Sequence, residues 1–170
     1  VAVLGALRPA VASGQELLDA GCGPGFYSRA VRAEFPELGL FGIDFSPEML
    51  AEYLSHGFEG ESASLFEFTG RSRRRFDHIL ILGVFEFVEN FENEISGLGR
   101  ICKPGTRILV LIPRLNPISL PYFFYHLVRG GIFPRPIQSY VAGFAAQECK
   151  LIGAAAPSPI SQLLIFERVR

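Results

Sequence analysis

The chain reads as an α/β domain built on a doubly wound, mostly parallel sheet. Three observations predict it. Short apolar runs alternate with amphipathic helical stretches along most of the sequence, as a parallel sheet covered on both faces requires. The first apolar run leads into Leu17-Leu18-Asp19-Ala20-Gly21-Cys22-Gly23-Pro24-Gly25, a glycine-rich turn between a strand and a helix. The second ends in Gly42-Ile43-Asp44, so both leading strands carry an acid at or near their tips.

The elements follow in order. Residues 16–20 form the first strand. Residues 26–35 form a helix with Phe26, Ala30, Val31 and Phe35 at helical spacing, and Pro36 lies past its end. Residues 39–44 are the second strand. Ser46 is an N-cap, Pro47 suits the first helical position and Glu48 complements the helix dipole. That helix reaches about residue 55 and stops near Gly57. Residues 62–68 are read as a weaker third strand, and residues 76–83, continuously apolar after His78, as a buried fourth strand. Phe91, Ile95, Leu98 and Ile101 mark one helix, which Lys103-Pro104-Gly105 ends before a fifth strand over 106–112. A helix over 137–149 and two strands over 151–155 and 163–169 complete the chain. Pro157, Ser158, Pro159 and Ser161 make the reversal between those strands, which turns the last one antiparallel.

Composition narrows the function classes. With 170 residues, 49% of them hydrophobic, the chain is one globular domain with a sizeable core. A net charge of -1 provides no global field for nucleic acid, and the basic run Arg71-Ser72-Arg73-Arg74-Arg75 is read as a solvated loop. Cys22, Cys102 and Cys149 are odd in number and lack metal-type spacing. They fit a reducing, cytoplasmic setting with no disulfide framework and no metal site. No apolar run reaches transmembrane length.

The acids and glycines carry the chemistry. An acid after the second strand, Asp44, stands where it can accept hydrogen bonds from a ribose diol. An acid just before the glycines, Asp19, would repel a pyrophosphate and suits a ligand carrying an ammonium group. The spacing Asp19-x-Gly21-x-Gly23-x-Gly25 also departs from the dinucleotide G-x-G-x-x-G pattern, which disfavours a nicotinamide-binding oxidoreductase.

The first of these segments closely resembles motif I of the class I S-adenosylmethionine-dependent methyltransferases. Gly42-Ile43-Asp44-Phe45-Ser46-Pro47-Glu48-Met49-Leu50 resembles the next motif of that family, and Phe76-Asp77 and Lys103-Pro104-Gly105 resemble two further landmarks. The resemblance covers residues 16–112 well and the last 60 loosely. It implies a Rossmann-like, seven-stranded sheet in the order 3-2-1-4-5-7-6, S-adenosylmethionine as cofactor, and methyl transfer to a small acceptor. Family members carry helices before motif I, so residues 1–170 are expected to be a single methyltransferase domain lacking those helices.

Site roles follow from the resemblance. Asp44 takes the ribose hydroxyls. Asp19 acts on the methionine end, directly or through water, or else fixes the loop by bonding backbone N–H groups. Gly21, Gly23 and Gly25 shape the turn, with Cys22 as a small residue inside it. Phe45 and Met49 pack on adenine, although Met49 suits core packing equally. Glu67 contacts the adenine amino group or faces solvent, and the backbone at Gly83 and Val84 meets the cofactor amino group. Glu86-Phe87 occupies the place where many small-molecule members carry Glu-His, so the usual imidazole is missing. His78 is read as structural. The strand-four motif also lacks the Asn-Pro-Pro-Tyr signature of enzymes that methylate base amino groups, which again disfavours nucleic acid.

Residues 114–140 are the unusual part. They hold Pro117, Pro121, Pro134 and Pro136, the run Tyr122-Phe123-Phe124-Tyr125-His126-Leu127-Val128, and Gly130-Gly131. They follow strand five, at the carboxyl edge where open α/β sheets bind ligands. They read as a lid, helical over 122–128, above a small-molecule or lipid-like acceptor, with Tyr122, Tyr125 and His126 as candidates to orient or deprotonate it. Packing on the core, a homodimer interface rather than a monomer surface, and membrane-surface contact are the competing readings. For the whole chain, the rival to an enzyme is a non-catalytic module that keeps the fold and the cofactor.

Overall fold

Seven strands form one sheet in the order β3-β2-β1-β4-β5-β7-β6 in the computed structural model, which describes residues 2–169. They are β1 (Glu16–Ala20), β2 (Gly39–Asp44), β3 (Glu59–Ser62), β4 (Phe76–Leu82), β5 (Cys102–Pro113), β6 (Cys149–Ser158) and β7 (Ser161–Arg168). The pairs from β3 across to β5 are parallel, and β7 runs antiparallel to both its neighbours. The helices are α1 (Ala2–Leu7), α2 (Phe26–Glu34), α3 (Pro47–Ser55), α4 (Leu65–Arg71), α5 (Phe91–Ile95), α6 (Leu98–Ile101), α7 (Leu120–Arg129) and α8 (Ile137–Ala146). The sheet class and strand order are those expected from the sequence.

Strand alternation divides the core between the two faces. Ile79, Ile81, Ile108 and Val110 point to one side, where Phe68, Phe91 and Phe144 of α4, α5 and α8 cover them. Leu17, Leu80, Leu82 and Leu109 point to the other, under Leu7, Val31 and Tyr53 of α1, α2 and α3. The N-terminal helix α1 packs Val3 and Leu7 into this second core.

Several elements differ from the sequence expectation, each for a local reason. The third strand is four residues long and ends at Ser62, and residues 65–71 are helical. Ser64 caps that helix: its Oγ accepts the Glu67 N–H, while the Glu67 carboxylate accepts the Ser64 N–H. The single helix expected over 91–101 is two, broken where Gly97 adopts a φ of +87°. The fifth strand already begins at Cys102 and runs through Pro104-Gly105, with a register shift against β4 beyond Phe76. Thr106 holds that irregularity, its Oγ1 donating to the Phe76 carbonyl at 2.6 Å. The last helix stops at Ala146, ahead of Glu148 with its φ of +56°. The sixth strand continues through Pro157, so the reversal is confined to the turn after Ser158.

The basic run is not simply solvated. Arg71 pairs with Glu61 at 2.9 Å, and Arg74 pairs with Glu16 at 2.8 Å while lying over the Phe41 ring. His78 is buried near the amino end of the sheet, its Nε2 2.9 Å from Gln15 Oε1. Burial holds its pKa down at about 4, so it is neutral and structural.

Candidate functional site

The chain runs from β1 through β2 to β3 on one side, then returns to place β4 on the other side of β1. A crevice opens at the carboxyl ends of β1 and β4 where these directions diverge. It is a cleft of about 510 Å³.

The glycine turn forms its floor. The N–H groups of Gly21 and Cys22 both donate to the Ile43 carbonyl, at 2.8 and 3.0 Å, which ties the turn to β2. Gly21 has a φ of +75°, and a Cβ there would stand 2.4 Å from Val84 Cγ2. Gly23 also has positive φ, but nothing lies within 4 Å of where its Cβ would be, and the open space is the cleft itself. Asp44 lines the wall beside it at 8% exposure. One carboxylate oxygen accepts the Gly23 N–H at 2.8 Å and the other accepts the Ser46 N–H at 2.9 Å.

Asp19, Cys22 and Gly25 are buried and do not line the cleft wall. Asp19 is 2% exposed and accepts the Ser28 hydroxyl at 2.7 Å. The Ser28 hydroxyl in turn lies 3.3 Å from the Tyr53 hydroxyl. Burial lifts the Asp19 pKa to about 6; the Ser28 bond works against that rise and the Asp44 charge adds to it. Burial also pushes the Cys22 thiol well up, so it is no thiolate. Gly25 caps α2, its φ of +87° packed against the Tyr53 ring.

Phe45 and Met49 line the cleft, both substantially exposed. Glu67 does not reach it. The Glu67 carboxylate is committed to the Ser64 cap, and the bond from the Ser64 N–H lowers its pKa. The polar groups on that wall are instead Ser64 and Glu94, which sequence reasoning missed. Glu94 Oε2 accepts the Phe66 N–H at 3.2 Å, and its side chain borders the cleft.

The far wall comes from the loop after β4. Gly83 and Val84 line the cleft together with Phe87 and Val88. A 3₁₀ turn over Phe85–Phe87 sends Phe85 into the core and Phe87 toward the cleft. Arg135 pins this loop, donating to the carbonyls of Phe85, Val88 and Glu89. No sequence signal marked Arg135 for that task.

Of the three residues proposed to act on an acceptor, none lines the large cleft. Tyr122 donates to Glu86 Oε1 at 3.3 Å, and its ring lies 4.5 Å from that of His126. His126 packs on Phe87 with ring centroids 5.1 Å apart. Tyr125 touches His126 from the outer side and is half exposed. Residues 122–128 are helical, as expected, and α7 stands beside Phe87 at the cleft rim. Among the described residues no helix is long and apolar enough to cross a membrane.

Comparison with known proteins agrees with this geometry. Residues 18–108 match a family model described as a methyltransferase domain. A search of curated proteins finds no match. Solved structures share the fold at low identity. A Haloferax volcanii protein described as a methyltransferase, in complex with the Trm112 methyltransferase activator, superposes with a TM-score of 0.80 at 16% identity. That match covers 99% of this chain and 89% of the other. Magnesium protoporphyrin IX methyltransferase from Synechocystis, with bound S-adenosylhomocysteine, gives 0.78 at 16% identity over 98% of this chain and 80% of that one. Phosphoethanolamine N-methyltransferase 2 of Haemonchus contortus, with S-adenosyl-L-methionine, gives 0.79 at 14% identity; the match covers 98% of this chain but only 52% of that one.

Proposed function

The chain belongs to the S-adenosylmethionine-dependent methyltransferase family, and from that premise we propose that its acceptor is a small, largely apolar molecule bound under residues 114–140. The Asp44–Gly23 bond beside the open space over Gly23 carries the cofactor's place, and the apolar wall of Val84, Phe87 and Val88 supports an apolar acceptor. Each Asp44 oxygen spends one lone pair on a backbone N–H and keeps another for a ribose hydroxyl. A Cβ on Gly23 would intrude on the space a ligand needs.

The remaining roles suit the cofactor's parts. Phe45 and Met49 offer apolar contact for adenine, and Ser64 and Glu94 offer partners for its polar edge. Asp19, buried just before the turn, adds negative potential near the cationic end without touching it. When bound, S-adenosylmethionine supplies a methyl carbon attached to a positively charged sulfur, an electrophile with a good leaving group. The chain's part is then to position the acceptor and exclude water, which can supply much of the rate. Phe87, Val88 and Val84 provide a dry wall for that purpose.

Residues 114–140 would act as the acceptor's cap within a single domain spanning 1–170. Three buried free thiols favour a reducing, cytoplasmic setting. Calorimetric titration tests the reading: S-adenosylhomocysteine should give a saturable heat and NAD none. Binding of NAD in place of S-adenosylhomocysteine would overturn it.

A further inference from the structure

Glu86 is the buried acid that the reading above leaves without a task. It sits in the 3₁₀ turn after β4, 4% exposed, between a core phenylalanine and a cleft phenylalanine. A carboxyl so deeply buried is costly unless its oxygens are hydrogen-bonded. One oxygen receives the Tyr122 hydroxyl at 3.3 Å, a long bond, and the other is buried with no hydrogen-bond partner among the described residues. The nearby guanidinium of Arg135 is committed to backbone carbonyls.

Glu86 and Tyr122 line a second cavity of about 170 Å³, whose other walls include Ile112, Pro113 and Ile160. Gly83 borders this cavity and the large cleft alike, so the two adjoin. The volume is too small for a nucleoside but suits one ring or a short chain. Residues 114–140 hold the turn in place, since the Phe133 N–H donates to the Glu86 carbonyl at 2.7 Å.

We infer that Glu86 and Tyr122 form the polar anchor of the acceptor site, which takes an amine or hydroxyl group carried on an otherwise apolar body. The inference rests on the methyltransferase reading and specifies its acceptor. A small rotation of the Glu86 carboxyl, whose unpaired oxygen is closed off as it stands, would offer that oxygen to an N–H or O–H in the small cavity, while the apolar body lies against Ile112, Pro113 and Ile160. Burial raises the Glu86 pKa, consistent with a carboxyl that lacks a fixed positive partner. The cavity's place beside Gly83 sets the anchored molecule next to the methyl-donor cleft.

Three probes of one shape separate the contributions: benzylamine, benzyl alcohol and toluene. Their binding is followed by chemical-shift titration of the wild-type chain, with and without saturating S-adenosylhomocysteine. We expect benzylamine and benzyl alcohol to bind at least fivefold more tightly than toluene and to shift the amides of Gly83, Tyr122 and Ile160. Glu86→Gln should abolish the advantage of benzylamine, leave toluene unchanged and keep S-adenosylhomocysteine affinity within twofold. Tyr122→Phe should keep benzylamine preferred over toluene, since the Glu86 carboxyl remains and the oxygen that Tyr122 held is freed. Equal binding of the three probes, no binding of any, or shifts confined to other residues would overturn the anchor. The wild-type shift map decides the matter even if Glu86→Gln does not fold. Failure of S-adenosylhomocysteine to bind strikes the methyltransferase reading instead, and the fragment titration without it is scored separately.

Discussion

Asp44 at the end of β2 accepts the Gly23 N–H at 2.8 Å, joining two chain segments 21 residues apart at the floor of the cleft. Its second oxygen accepts the Ser46 N–H just ahead of α3. The two bonds fix the carboxylate before any ligand arrives, so binding need not order it. They also explain why the glycine turn and the second acid work as one unit.

Asp44→Ala should therefore weaken the cleft in two ways. It removes the charged acceptor proposed for the ribose hydroxyls and leaves two backbone N–H groups without their partner. We expect S-adenosylhomocysteine affinity to fall by about 1.5–3 kcal/mol, the usual worth of hydrogen bonds to a charged group, with a lower melting temperature. Titration calorimetry and thermal melts read both effects. A folded variant with unchanged affinity would remove Asp44 from the ribose site.

Gly21→Ala should destabilise the fold by two separable terms. A left-handed φ costs an alanine roughly 1–2 kcal/mol, and the new Cβ would stand 2.4 Å from Val84 Cγ2. Val84→Ala removes that Cγ2. In a double-mutant cycle the steric part should be recovered and the backbone part kept. Denaturant unfolding gives the four free energies. An equal cost of Gly21→Ala in both backgrounds would mean that the two residues do not press on one another.

The pH dependence holds two opposed contributions from residues only 2% exposed. Asp19 titrates near 6 in the fold against a reference of 3.8, so the folded chain binds the extra proton. Its contribution is fully present below about pH 4 and is lost as pH rises through 6. His78 titrates near 4 against a reference of 6.5, so the unfolded chain binds the extra proton. Its contribution is present above pH 6.5 and is lost as pH falls through 4. Each amounts to about 3 kcal/mol, and between pH 4 and 6 they largely cancel. Asp19→Asn should make the protein lose about 3 kcal/mol more than wild type between pH 6 and 4, and His78→Asn should do the reverse. Urea melts at the two pH values measure this. Variants that both track the wild-type curve would refute the assignment.

How far these sites were legible depends on the distance over which each interaction acts. The place of Asp44 on the cleft wall follows from an acid at the tip of an apolar strand, a local pattern. Asp19 remained ambiguous because its partner, Ser28, lies a helical turn beyond the glycines and only the folded turn brings them together. Glu67 was placed on a strand although Ser64-x-x-Glu67 is a capping-box pattern. Leu65, Phe66 and Phe68 form a short apolar run that suits strand or helix equally, and the cap decided it. Glu86 with Tyr122, and Arg135 with the Phe85–Glu89 loop, are pairings across 36 and about 50 residues that no spacing encodes.

The two faces of α7 should answer to different substitutions. Tyr122 and His126, four residues apart, face Glu86 and Phe87, whereas Phe124 is 70% exposed and Tyr125 half exposed. The helix is held at its start, where the Arg114 N–H donates to the Ile160 carbonyl and Asn116 Nδ2 to that of Pro159. It ends at Gly130 and Gly131, both with positive φ, which let the chain turn back. His126→Ala removes packing on Phe87, so we expect a several-fold higher KM for acceptor and S-adenosylhomocysteine affinity within twofold. Replacing Phe124 and Tyr125 together with alanine removes exposed aromatic surface, which on a monomer marks a contact site. Turnover of an apolar acceptor should fall while melting temperature and cofactor affinity hold. Should that double variant unfold, or break up a dimer without touching turnover, the outer face of α7 is a packing surface and the cap reading fails there.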